Sequence, residues 1–266
     1  VSVHGVDVAY RQHGPDDGVP LILLNHLSAV LGNWDPRVVD GLAARRRVIT
    51  HDNRGVGASG GSTPDTIEAM ARDTVLFITA LGYDRVDLLG LSMGGFVAQV
   101  VAAQEPDLVR KMILAGTGPA GGPGIKVTSL TIKDTLKAVA TRRNSKQFLF
   151  FTATESGRRA AHAFLDRLKE RTDERDKAIS LSSFRAQSKA IHRWGVQAPA
   201  DLSRTHQPTW WPTARATGWS RAPTPSTWWP DCPGVNSSPS TPDAGHGGIF
   251  QHHDRFVPRA LAFLEP

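Results

Sequence analysis

A chain of 266 residues, 40% hydrophobic and 21% charged, suits one large globular α/β domain with room for an inserted subdomain. No apolar run approaches the roughly 18 residues of a membrane span and no charged-then-apolar signal opens the chain, so no membrane partner and a cytoplasmic location are expected. The single Cys232 leaves no internal disulfide or cysteine-based metal cluster, and the net charge of +6 sits at Arg45–Arg47, Arg142–Lys146 and Arg158–Arg171 with no nucleic-acid motif, which reads as solvated helix faces.

Val3 to Arg11 alternates apolar and polar residues, the period of a short antiparallel strand. Pro20 leads into Leu21-Ile22-Leu23-Leu24, a continuous apolar run typical of a buried strand, which ends at Asn25-His26-Leu27-Ser28. A helix is predicted from about Asp35. The next strand, Arg47–Thr50, stops at Asp52-Asn53-Arg54-Gly55-Val56-Gly57-Ala58-Ser59. Thr66 to Leu81 carries Ile67, Met70, Ala71, Thr74, Val75 and Ile78 near helical spacing, with Gly82 as its stop. The run Val86-Asp87-Leu88-Leu89 then meets Gly90-Leu91-Ser92-Met93-Gly94-Gly95, and a helical segment follows from Phe96. Met112–Ala115 is a further strand, closed by Gly116-Thr117-Gly118-Pro119.

Such alternation builds a mostly parallel sheet with helices on both faces, and loops at the carboxyl ends of its strands carry the site. Asn25–Ser28, Asp52–Ser59, Ser92 and Thr117 all fall at those ends. From about Gly121 to Ala200 the strand pattern stops, and Thr131–Thr141, Ser145–Phe151, Arg158–Arg171 and Ala178–Trp194 read as helices. Their charge faces one side, leaving Phe148, Phe150, Phe151, Phe164 and Leu165 for the other. The organisation predicted is a core over residues 1–119, a helical cap over 120–200 and the rest of the core over 201–266.

A strand, then Gly-x-Ser-x-Gly, then a helix is the context in which a serine sits on a strained turn with its hydroxyl exposed. Glycines on either side let strand and helix approach closely. Together with Asn25-His26-Leu27, Asp52–Ser59 and Pro242-Asp243-Ala244-Gly245-His246-Gly247, in that order, the chain resembles the α/β-hydrolase superfamily, in particular its small cap-bearing esterase and haloperoxidase-like members. The resemblance implies that Ser92 attacks an acyl carbonyl, that His246 is its general base, and that the backbone N–H groups of Leu27 and Met93 form the oxyanion hole. It implies a small-molecule acyl substrate and no metal or cofactor. Many relatives have His-Gly where this chain has Asn25-His26, so a titratable ring is brought near the site. Asp52 and Arg54 are expected to hold their loop through a carboxylate–guanidinium contact. Relatives that cleave haloalkanes or epoxides place an aspartate where Ser92 stands, so alkylation chemistry is not expected.

One segment departs from the family. The triad acid should follow the next strand, in a pattern like Leu-Val-Ala-Asn-Gly-x-x-Asp-Arg-Met-Val-Pro, but this chain has Thr217 at the acid's position. From Pro208 to Pro242 lie eight of the 18 prolines and five of the seven tryptophans, a density that argues against central strands. The last two strands are therefore expected to be disrupted around residues 208–241. Because tryptophan is encoded only by TGG, Trp210-Trp211-Pro212 read one base out of frame gives Leu or Val, then Val-Ala. Trp228-Trp229-Pro230-Asp231-Cys232-Pro233 likewise can give Leu-Val-Ala-Arg-Leu-Pro. A pair of compensating frameshifts, near residues 207–209 and 240–242, accounts for both runs; a Pro/Trp-rich loop is the alternative, and the coding DNA decides between them. Three functions follow: a serine hydrolase, a cofactor-free haloperoxidase or perhydrolase using the same residues, and an impaired hydrolase fold that binds a ligand.

Overall fold

Four consecutive aliphatic residues make the strand Leu21–Leu24 (β4), and all four are buried because helices cover both faces of its sheet. In the computed structural model, which describes residues 1–122, 125, 144–171, 177–201, 205–212, 235–237 and 243–265, the predicted helix over residues 131–141 and the positions of Thr217, Asp231 and Cys232 lie outside the described residues. The sheet has seven strands, adding Tyr10–His13 (β3), Val48–His51 (β5), Val86–Leu91 (β6), Val109–Ala115 (β7), Thr209–Trp211 (β8) and Val235–Ser237 (β9). Their spatial order is β3-β5-β4-β6-β7-β8-β9, and β3 alone of these runs antiparallel to its neighbour. Because β4 lies between β5 and β6, the chain crosses over β4 on its way to the serine strand. That reversal opens a crevice at the carboxyl ends of β4 and β6.

Alternate residues of each strand feed opposite layers. Ile22, Leu88 and Met112 join Phe96 and Trp194 on one face, whereas Leu21, Leu23 and Leu89 join Phe164 and Phe250 on the other. The single strand predicted over Val3–Arg11 is in fact three pieces. His4 (φ 48°) and Gly5 (φ 79°) reverse the chain between Ser2–Val3 (β1) and Val6–Asp7 (β2), and β3 begins afterwards.

Helices α1 (Pro36–Ala43), α2 (Ile67–Ala80) and α3 (Met93–Gln104) link the early strands. Thr66 caps α2 by accepting from the Ala69 N–H, which fixes its start where the sequence placed it. Between β7 and β8 the described insertion contributes α4 (Ser145–Phe150), α5 (Glu155–Arg167) and α6 (Leu181–Val196), capped by Asn144, Thr154 and Ser180. Phe150, Phe151 and Phe164 are buried against Phe250, so these aromatics are core. The C-terminal helical segment is broken at His252 into α7 (Gly248–Gln251) and α8 (His253–Leu264).

Arg167 of α5 closes on Asp35, the α1 cap, with Nε–Oδ1 2.9 Å and Nη2–Oδ2 2.5 Å, and the Asp35 side chain is fully buried. Removing one partner of a buried pair strands the other's charge. Arg167→Ala is therefore expected to cost about 3 kcal/mol, read as a fall in the urea midpoint.

Two expectations need correction. The basic run Arg45–Arg47 is not wholly a solvated face: Arg46 Nη2 lies 2.7 Å from Asp87 Oδ2, and Arg110 binds the same buried carboxylate at 2.6 Å. Asp87 sits inside β6, where an unpaired charge would be costly, and these two guanidiniums supply its counter-charge. The segment after Pro208 also enters the sheet, although its two strands have only three residues each. Pro208 and Pro212 flank β8 rather than interrupt it, and the Pro208 carbonyl accepts from the Met112 N–H at 3.0 Å. A proline forfeits only a donor, so the ladder survives at its ends. Trp210 stacks on Phe256 at 5.5 Å while Trp211 joins the opposite layer, as alternate strand residues should.

Candidate active site

Ser92 stands between β6 and α3 with φ 57° and ψ −117°. A non-glycine residue in such a region costs about 1–3 kcal/mol and persists only where its surroundings enforce it. Here they do. The Ser92 N–H donates to the Ala115 carbonyl at the end of β7 (2.9 Å), and the Ser92 carbonyl accepts from Gly95 (2.9 Å). The flanking glycines leave no room for a side chain: a Cβ on Gly90 would lie 2.5 Å from the Gly94 oxygen, one on Gly94 2.0 Å from the Leu24 oxygen, and one on Gly95 2.5 Å from Thr117 Cγ2.

The approach of Gly94 to Leu24 sets the start of α3 on the end of β4, three residues before Leu27. As the first residue of α3, Met93 has an N–H with no intrahelical acceptor. The Leu27 N–H is also without an acceptor among the described residues. The loop carrying it is pinned by buried Asn25, whose Nδ2 donates to the His51 carbonyl (2.6 Å) and whose Oδ1 accepts from Trp34 Nε1 (2.8 Å). His26 Nδ1 lies 2.7 Å from the Leu27 oxygen, and the Ser28 N–H (φ 61°) donates to Gln187 Oε1 of α6 at 2.8 Å.

His246 occupies the turn before α7. The Gly247 N–H donates to the Phe150 carbonyl (2.9 Å), and a Cβ on Gly245 would meet that oxygen at 2.3 Å, so the turn lies flat on α4. On its other side, a Cβ on Gly116 would lie 2.8 Å from the His246 carbonyl and 3.1 Å from its Nδ1. Ser92 and His246 thus meet the same end of β7, one through Ala115 and the other through Gly116. Among the described residues no hydrogen bond involves Ser92 Oγ; such bonds are often loose before substrate binds.

The model of the alpha/beta hydrolase fold matches residues 19–229. The chain belongs to that family. A solved structure of an alpha/beta hydrolase fold protein from Chitinophaga pinensis superposes with a TM-score of 0.90 at 34% identity, covering 100% of this chain and 96% of the other. RutD of Rhizobium rhizogenes, a proposed carbamate hydrolase, is 35% identical over 118 residues, 43% of this chain and 45% of RutD. A non-heme chloroperoxidase of Streptomyces lividans is 33% identical over 117 residues, 43% of this chain and 42% of that protein. The chain therefore spans less than half the length of these curated relatives.

One contact expected in this α/β-hydrolase chain is made differently. Arg54 pairs with Asp73 (3.5 Å) rather than with Asp52, whose carboxylate accepts the Leu31 and Ala58 N–H groups at 2.7 and 2.9 Å. A Cβ on Gly57 would lie 2.2 Å from Asp52 Oδ2, so only glycine lets the turn close on this carboxylate. Asp243 is bound by hydroxyls: Thr152 at 2.6 Å, Thr154 at 2.9 Å and Ser156. Ser156 and then Thr152 hold its carboxyl below the usual range, and it ties the histidine turn to the N-terminus of α5. Asp201 is exposed, and Thr117, just after β7, has its hydroxyl buried and unpartnered among the described residues. Gln187, 95 positions after Ser92, carries no local motif that could have marked it. No group of three or more His, Cys, Asp or Glu among the described residues is placed to hold a metal ion. A separate cavity of about 160 Å³, lined by His51, Asp73 and Phe77 among others, touches none of Ser92, His246, Leu27 or Met93.

Burial drives three histidines down: His26 to about 3, His51 to about 4 and His246 to about 4, from 6.5. Lys146, and more weakly His246, lower His26 further, while its bond to the Leu27 carbonyl opposes them. Between those values and 6.5 the unfolded chain binds more protons than the folded one, so stability rises with pH across that window and levels above it. Each histidine contributes a slope of up to about 1.4 kcal/mol per pH unit. Urea midpoints at pH 7, 5.5 and 4.5 are expected to fall in that order, and equal midpoints would refute the buried neutral rings.

Proposed function

We propose that this chain is a serine hydrolase that cleaves a small carboxylic ester or related acyl compound through an acyl-serine intermediate. The observation that carries the reading is the positive-φ Ser92 at the carboxyl end of β6, with the first N–H of α3 beside it. Ser92 Oγ attacks the acyl carbonyl and its proton passes to His246. The oxygen of the tetrahedral intermediate lies between the Leu27 and Met93 N–H groups, each worth about 3 kcal/mol in the transition state. The intermediate collapses, the alcohol leaves with the proton from His246, and water repeats the sequence on the acyl-serine. Neither nucleic acid, membrane nor cofactor takes part in the proposed reaction. The likeness to RutD, named for carbamate hydrolysis, supports a hydrolytic reading.

A fluorophosphonate probe is expected to label Ser92 in the folded protein; folded protein that never labels would sink the reading and favour a ligand-binding role. Because His246 must be neutral to accept a proton and burial holds it near 4, the acid limb of kcat/KM should fall near pH 4. A limb at pH 6.5 or above would show that a charge partner raises it. The likeness to the chloroperoxidase supports a second reading, in which peroxide replaces water on the acyl-enzyme. Halogenation that requires both peroxide and a carboxylate buffer would distinguish it.

A further inference from the structure

His246 lies between two anchors, and one stretch of chain, Phe150 to Ser156, supplies both. After the histidine, the Gly247 N–H donates to the Phe150 carbonyl at 2.9 Å. Before it, the Asp243 carboxylate is gripped by hydroxyls. Thr152 Oγ1 donates to Oδ1 at 2.6 Å, Thr154 Oγ1 lies 2.9 Å from Oδ2, and Ser156 Oγ also meets Oδ2. Gln251 Nε2 of α7 donates to the Asp243 carbonyl at 2.9 Å, so the backbone of this residue is held as well.

The hydroxyls are themselves fixed. Thr154 Oγ1 caps α5 by accepting the Gly157 N–H at 3.0 Å, and it stands 2.7 Å from Thr152 Oγ1. A Cβ on Gly157 would lie 2.2 Å from that Thr152 oxygen, so the start of the helix is closed onto it. What this cradle grips is a strained residue. Asp243 has φ 56°, a left-handed backbone that few non-glycine residues adopt and that persists where contacts enforce it. A change of angle at Asp243 swings the chain that follows, and His246 is three positions on. The grip on the carboxylate therefore acts on where the histidine stands beside Gly116.

We propose that Asp243 is the positioning residue for His246, its hydroxyl-bound carboxylate holding the left-handed turn that sets the proposed base against the end of β7. The proposal deepens the serine-hydrolase reading and rests on it, because positioning is read through the reaction. Asp243 acts through the turn and touches no reacting atom. A misplacement of about 1 Å can cost on the order of 10²-fold in rate. Loss of an interaction that serves only the chemical step lowers kcat and leaves KM unchanged.

The test compares full-length Asp243→Gly and Asp243→Asn with the parent. Glycine takes φ 56° without penalty, so it removes the tether and relieves the backbone; asparagine tolerates that angle and keeps one acceptor oxygen. On nitrophenyl acetate, Asp243→Gly is expected to lower kcat by about 30- to 100-fold with KM within about threefold. Asp243→Asn should recover to within about tenfold of the parent. Titration with a fluorophosphonate separates positioning from folding. Every Asp243→Gly molecule should label, at a rate constant lowered by the same factor, whereas a merely structural role would lower the labelled fraction and leave the rate per labelled site unchanged. Should Asp243→Gly fail to fold, Thr152→Val removes one hydroxyl from the other side at nearly constant shape and should lower kcat by about fivefold or more. Parent-like rates per labelled site in the folded variant overturn the positioning role and leave the hydrolase reading standing. A parent that neither labels nor turns over the ester removes both.

Discussion

Replacing Ser92 by alanine is expected to lower kcat by about 10⁴ to 10⁶-fold, as removal of a serine nucleophile does elsewhere. The substitution removes only Oγ. The Cβ that makes φ 57° costly is present in both residues, so the turn's strain does not change. No described hydrogen bond involves Oγ, so none is lost on substitution, and thermal unfolding should shift by less than about 0.5 kcal/mol. Ester hydrolysis and a melting curve on the same sample separate the two effects. A variant that keeps activity within tenfold of the parent would show that another group attacks the carbonyl.

Among the described glycines Gly94 makes the shortest clash, and Gly94→Ala is expected to cost about 4 kcal/mol or more. Its Cβ would fall 2.0 Å from the Leu24 oxygen and 2.4 Å from the Leu24 carbonyl carbon. Both obstacles are backbone of a central strand paired on each side, and neither can rotate away. Relief requires α3 to move off β4, which would carry the Met93 N–H away from Leu27. Denaturant melts should show either no cooperative transition or a much lower midpoint. A variant as stable as the parent would refute the close approach of helix and strand.

The elements around Ser92 were legible because their chemistry is local. Gly90, Gly94 and Gly95 announce a tight turn, and Leu21–Leu24 announces a strand buried on both faces. What escaped depends on partners distant in sequence. Nothing near Asp35 points to Arg167, 132 positions away, and nothing near Arg54 favours Asp73 over the adjacent Asp52. Pro208 and Pro212 misled in a different way: proline counts measure lost donors, whereas β8 draws on the Pro208 carbonyl as an acceptor. The missing carboxylate at Thr217 is a fact of the sequence, and sequencing the DNA across codons 205–243 decides whether the segment belongs to the natural protein.

Asp243 joins the histidine turn to Thr152, Thr154 and Ser156, and Gln187 joins α6 to the Ser28 end of the oxyanion loop. The insertion helices are thus tethered at two places, one at the turn that carries His246, the proposed base, and one at the loop that carries Leu27, the proposed oxyanion donor. In the proposed mechanism, displacing these helices would move the proposed base and the loop together, so admission of substrate and readiness for chemistry would be a single mechanical variable. Substitutions on their far faces can alter rate without approaching the substrate.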